Sequence, residues 1–223
     1  MPKVDNSAPA AKIALRAWLV DQIQPARVLD CFAGTGQMWR GAYQRTEFYL
    51  GLDRKVAPTD ARRLIACDSL RYLRDRDVDI ARFNLFDLDA YGSPYQHLAI
   101  ICSRLRAKSA VGFVLTSGLG FNAAMNSMET KLLEYVGLEA HRVGRTQHML
   151  REEIESRAIQ RALGEAGLKI VEARRAEARK SSVMIMRYTA LLCAPVAARA
   201  GTPARGAPRA IRSGRRRGSA VPG

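Results

Sequence analysis

Asn84-Leu85-Phe86-Asp87-Leu88-Asp89-Ala90-Tyr91-Gly92-Ser93-Pro94 is the stretch on which the reading of the chain turns. It begins as an apolar run of strand type and ends in turn residues, Gly-Ser-Pro. Two carboxylates and an aromatic ring therefore stand where a buried strand reaches the surface. A core strand gains nothing from two acids, because unpaired buried charge is costly. In open α/β sheets that edge is where ligands bind. The stretch is expected to hold something polar.

The flanking sequence supplies the rest of such a sheet. Upstream, Arg27–Phe32 reads as a buried strand followed at once by Ala33-Gly34-Thr35-Gly36 and a helix over 37–44. A second strand, Glu47–Asp53, and a third, Arg63–Asp68, each end in an acid, and Ser69 opens the next helix. The fourth strand covers 82–89, a helix follows over Pro94–Ala107, and Ser109–Ser117 is a fifth strand. Ahead of them all, Ala10–Gln24 forms an amphipathic helix with Leu15, Trp18, Leu19 and Ile23 on one face, stopped by Pro25. Residues 118–147 mix Gly, Asn and Met with a short helical pattern around 128–135; Phe121, Asn122 and Met125 there are candidates for a lid. A helix over 148–166 carries Glu153 four positions before Arg157. Leu168–Ala176 and Ser182–Cys193 are then two strands in succession, read as a hairpin.

Strands alternating with helices imply an α/β fold, a mostly parallel sheet with helices on both faces. The closing strand pair implies an antiparallel strand at one edge. The chain divides into an N-terminal leader and helix (1–25), one sheet-bearing domain (26–195) and a basic tail (196–223). Residues 199–223 contain seven Arg and no acid, so the tail is expected to be disordered in isolation.

At 223 residues and 48% apolar content, the chain can bury the core of one such domain. A net charge of +15 favours an acidic partner, nucleic acid above all. Cys31, Cys67, Cys102 and Cys193 are widely spaced, which reads as free thiols in a reducing, cytoplasmic setting. His97, His141 and His148 show no metal spacing and are taken as surface or helix residues, so no metal site is expected. No apolar signal core precedes the domain, and no run reaches the ~18 residues of a membrane span.

The strand ends carry ligand chemistry in order. Gly34 and Gly36 allow close backbone approach to a ligand, at a helix start that favours a carboxylate or phosphate. Trp39 stands where a dinucleotide fingerprint needs a small residue, which disfavours a pyrophosphate. Asp53 is placed as an acid that grips ribose hydroxyls. Asp68 and Ser69 can pair with an adenine amine or cap the following helix.

Val28-Leu29-Asp30-Cys31-Phe32-Ala33-Gly34-Thr35-Gly36 resembles the first motif of the class I S-adenosylmethionine-dependent methyltransferases. Asp53, Asp68-Ser69 and Asp87–Pro94 fall in the order of the second, third and fourth motifs, and the resemblance spans about residues 26–193. It implies a Rossmann-like seven-stranded sheet and S-adenosyl-L-methionine as cofactor. It also implies that Gly34, Thr35 and Gly36 pass the methionine part, that Asp53 holds the ribose, and that Asp68 with Ser69 faces the adenine. Asp30, Phe32 and Asp87 complete the implied cofactor set.

The fourth motif narrows the resemblance. Asp87-Leu88-Asp89-Ala90-Tyr91-Gly92-Ser93-Pro94 is similar to that of the tRNA guanine-N2 dimethyltransferases at every position but one, Ala90 replacing their Pro. Most of that family's C-terminal domain has no counterpart after residue 193. The implied reaction is N-methylation of an exocyclic nucleobase amine, guanine N2 in tRNA or other structured RNA, with RNA favoured over DNA. A nucleobase amine has its lone pair delocalised into the ring. Asp89 can accept its hydrogens and localise that pair, and Tyr91 can stack on a base extruded from its helix. A DNA adenine or cytosine amino methyltransferase, a small-molecule or protein acceptor, and an inactive nucleic-acid-binding scaffold stay open, the last because of Ala90.

Overall fold

The computed structural model describes residues 8–55, 62–90, 93–120, 130–139, 150–181 and 184–196. Seven strands form one sheet: β1 (Arg27–Asp30), β2 (Phe48–Asp53), β3 (Leu64–Ala66), β4 (Leu85–Leu88), β5 (Val111–Gly120), β6 (Leu168–Ser181) and β7 (Met184–Pro195). Their order across the sheet is β3-β2-β1-β4-β5-β7-β6. β1 pairs in parallel with β2 and β4, as do β2 with β3 and β4 with β5. β7 runs antiparallel between β5 and β6, which leaves β6 outermost. The expected seven strands and hairpin are thus present, with the antiparallel member one strand in from the edge.

The central strands β1, β2 and β4 are buried along almost their whole length, and because successive side chains point to opposite sides, each contributes to a core on both faces of the sheet; the edge strands β3 and β6 are largely exposed. Val28, Leu85 and Val114 pack with Leu15, Trp18 and Leu19 of α1 (Pro9–Gln22). Their neighbours Leu29, Phe86 and Phe113 pack on the other side, against a layer that includes Leu98 and Ile101 of α3 (Tyr95–Arg104). The same layer holds α2 (Ser69–Arg74), α4 (Thr130–Tyr135) and α5 (Arg151–Glu165), with Leu73, Leu133 and Ala158 buried in it. Phe86 and Phe113 stack there with ring centres 5.4 Å apart. The helix expected over 37–44 includes a short π-helical turn, Trp39–Tyr43, on the α1 side.

Alternation fixes one fact that matters for function. Asp87 is two residues beyond Leu85, and Asp30 two beyond Val28, so both acids share the face covered by α1. The four cysteines are free, and three of them are buried. Among the described residues, no His, Cys, Asp and Glu cluster could hold a metal, and no helix is long and apolar enough to cross a membrane.

Candidate active site

Parallel pairing brings the C-terminal ends of β1 to β4 to one edge of the sheet. Asp30 stands beside Gly51 and Asp87 in register, and Asp53 beside Ala66. The loop after β1 turns through Gly34 at φ 46° and Gly36 at φ 79°, a left-handed backbone that favours glycine. The Gly34 N–H donates to Asp53 Oδ2 at 2.8 Å. Arg62 donates to the Ala33 and Gly34 carbonyls at 2.8 and 2.9 Å. A Cβ on Gly36 would lie 2.7 Å from the Arg62 guanidinium carbon, so the glycine makes room for this clamp.

Beside the loop opens a cleft of about 490 Å3. Its walls bring together Phe32, Asp53, Asp68, Ser69, Ala90 and Ser93, which come from four successive strand ends. The lining does not include Gly34, Thr35 and Gly36; Gly34 meets it through its bond to Asp53. Thr35 offers its carbonyl to Arg40 at 3.2 Å. Asp53 Oδ1 accepts from the Lys55 N–H at 2.8 Å, so each of its oxygens keeps lone-pair capacity. Asp68 caps α2 by accepting from the Arg71 N–H at 3.0 Å, and it also pairs with Arg54 at the rim. Those donors, Arg54 first, hold its carboxyl below the ordinary range.

Deeper in the cleft, His97 of α3 is 6% exposed and its Nε2 lies 2.9 Å from Ser69 Oγ. Phe32 packs edge-on to its ring at 4.9 Å. Burial pushes the imidazole down to about 4, so it is neutral at pH 7. The residue is helical, as expected, but it is part of this buried wall rather than of the surface.

The remaining acids lie under α1. Arg16 is fully buried and forks onto Asp87, with Nε to Oδ2 at 2.6 Å and an Nη to Oδ1 at 2.9 Å. The same guanidinium reaches Asp89 Oδ2 at 3.0 Å. Lys12, one turn earlier, reaches Asp89 Oδ2 at 3.1 Å and Oδ1 at 3.4 Å. Tyr43 donates to Asp87 Oδ2 at 2.8 Å, and Tyr49 to Asp30 Oδ2 at 2.9 Å. Burial works against ionisation of Asp89, yet Arg16 and then Lys12 outweigh it and hold the carboxyl below its ordinary value. Asp30 has no cation in direct contact; burial, and then the Asp87 charge, raise it to about 7. The two acids of the opening stretch are therefore paired, and their partners come from the first helix.

Asp89 sits in a tight turn in which the Ala90 N–H donates to the Leu88 carbonyl at 2.7 Å. A proline at position 90 would lack that donor. Tyr91, Phe121, Asn122, Met125, His141, His148 and the Arg-rich tail lie outside the described residues.

No family model matches the sequence, and no curated protein is significantly similar to it. Solved structures do share the fold. TYW2 from M. jannaschii in complex with AdoMet aligns at a TM-score of 0.50 and 11% identity, covering 86% of this chain and 79% of that one. Trm1 from Pyrococcus horikoshii with S-adenosyl-L-methionine aligns at 0.52 and 18%, covering 85% of this chain and 55% of that one. The fold is that of the Rossmann-like methyltransferases.

Within the methyltransferase fold, residue patterns missed Lys12 and Arg16. Their signal was present: both fall on the apolar stripe of α1, one turn apart and in phase with Leu19 and Ile23. A cation inside an apolar stripe asks for a buried acid. Nothing local marks which one, since Lys12 and Asp89 are 77 positions apart.

Proposed function

We propose that the chain is an S-adenosylmethionine-dependent N-methyltransferase acting on the exocyclic amine of a nucleobase, guanine N2 in tRNA or other structured RNA. The observation that carries the reading is the cleft itself. Four consecutive strand ends line one cavity of nucleoside size, and the turn that holds Asp89 borders it. The residues suit this cofactor. Asp53 keeps lone pairs for ribose hydroxyls, and its carboxylate suits a ligand with a net positive charge. The solved structures with S-adenosyl-L-methionine or AdoMet share the fold and support the same cofactor.

The bound cofactor supplies an electrophilic methyl group on a sulfonium. The chain's part is to present the amine. Asp89 stays ionised beside Arg16 and Lys12, so it can only accept hydrogen bonds. Its Oδ1 carries the longer Lys12 contact, 3.4 Å, and is the oxygen with capacity for an amine N–H. Accepting that hydrogen draws the nitrogen lone pair out of the ring toward the methyl group. Tyr91 is assigned the flat face of the base, where stacking is worth about 1–3 kcal/mol. The net charge of +15 suits the phosphates of such a substrate.

Incubation with methyl-labelled cofactor and either unmodified tRNA or unmethylated DNA tests the proposal. Label on guanine N2 of tRNA is expected; label on DNA alone overturns the RNA assignment. Asp89→Ala is expected to lower transfer at least about 100-fold while cofactor binding, followed by calorimetry, survives. Normal turnover in that variant removes Asp89 from the mechanism.

A further inference from the structure

Two residues that line the cleft each carry a buried polar atom with nothing to bond. His97 Nδ1 and Ser93 Oγ are both buried and without a hydrogen-bond partner. They lie four positions apart where the loop after β4 enters α3, and both residues line the cleft. Such orphans are rare, because each forfeits the water it left behind. The imidazole is pinned from two sides, by Ser69 at Nε2 and by the Phe32 ring edge. Its free nitrogen is therefore held in place.

The acid expected to read the adenine amine is otherwise engaged. Asp68 caps α2 and pairs with Arg54 at the rim, where its side chain is 36% exposed. Among the described residues that line the cleft, the buried and unsatisfied polar groups are His97 on α3 and Ser93 just before it.

We propose that His97 and Ser93 form an aminopurine-selective subsite, in which His97 Nδ1 accepts the 6-amino hydrogen of the ligand's adenine and Ser93 Oγ bonds a ring nitrogen. The inference rests on the cofactor reading given above and adds residues to it that the motif resemblance does not assign. The subsite requires the tautomer in which His97 Nε2–H donates to Ser69 Oγ, which leaves a lone pair at Nδ1 for an amine donor. A purine without the amine leaves that lone pair buried and unpaired.

Binding alone tests this. Calorimetry is run on the full chain with S-adenosylhomocysteine and with its analogue lacking the 6-amino group. Wild type is expected to prefer the amino form by about tenfold, the effect of one hydrogen bond whose loss strands a buried partner. His97→Phe keeps the ring shape and is expected to erase most of that preference by weakening only the amino form. Ser93→Ala is expected to weaken both ligands about threefold to tenfold and to keep the preference. Thermal melts confirm that each variant is folded. Wild-type binding with an unchanged preference in His97→Phe and unchanged affinities in Ser93→Ala overturns the subsite alone. Failure of wild type to bind either ligand overturns the cofactor reading, and the subsite with it.

Discussion

Asp30 and Asp89 share one face of the sheet, yet their carboxyls shift in opposite directions. Asp89 has two cations and lies below its ordinary range; Asp30 has tyrosine and backbone donors only and is raised to about 7. The signs lead to separate tests. For Asp30 the folded value exceeds the unfolded one, near 4, so the folded state keeps a proton that the unfolded chain sheds. Stability therefore falls as pH rises from about 4 to 7. Asp30→Asn retains an acceptor for the Phe32 N–H and removes the charge. It is expected to raise stability by about 1–2 kcal/mol at pH 8 and to change little at pH 4, as read from urea midpoints. For Asp89 the folded value is the lower one. Its contribution is present above about pH 4 and is lost as pH falls through the depressed value. Lys12→Met removes one of the two cations, so acid unfolding is expected to begin at a higher pH than in wild type. Coincident acid transitions would show that Lys12 does not act on Asp89.

At the scale of elements, α1 acts as a lid of charge on the sheet. Removing one partner of a buried ion pair leaves the other stranded, which costs about 3–5 kcal/mol. Arg16→Met is expected to lose that much in denaturant melts. Adding Asp87→Leu is expected to recover part of the loss, because the stranded carboxylate is then gone. Close approach constrains the same edge elsewhere. A Cβ on Gly51 of β2 would lie 2.5 Å from Leu64 Cδ2 and 2.7 Å from the Ala33 Cβ. Gly51→Ala is expected to destabilise by about 1–3 kcal/mol and to disturb the glycine loop through Ala33. Failure of cofactor binding to weaken in that variant would separate the loop from the β2 edge.

The elements also mark how far residues alone can be read. Runs such as Val28–Asp30 and Leu85–Leu88 declare themselves because a parallel strand buries both faces and reads as continuous apolar sequence. Acids at their ends are visible for the same reason. β3 is shorter than its apolar run, Leu64–Ala66 rather than 63–68, since it is an edge strand with two of its three residues exposed. The cations opposite the acids are not legible in this way. Their positions depend on the crossing of α1 over the sheet, and that is set by packing rather than by neighbours in sequence. His97 escaped for a related reason: a histidine on a helix reads the same whether it meets water or Ser69.

For the molecule as a whole, the charge of +15 sets a further expectation. Binding driven by phosphate contacts weakens steeply with salt, by about 10- to 1,000-fold between 50 and 200 mM for a handful of contacts. Fluorescence anisotropy with labelled tRNA is expected to show that slope. A flat response would point to an acceptor without a phosphate backbone.

Arg16 and Asp87 are 71 positions apart, and the strand that carries the carboxylate is made long after the helix that carries the guanidinium. On a growing chain the positive partner waits, hydrated, for a negative one that does not yet exist. Neither can shed its water until the sheet has assembled as far as β4, so helix docking belongs to the end of folding. Trp18 rides on that helix, and in a Trp39→Phe background its emission during refolding should lag the strand signal in circular dichroism.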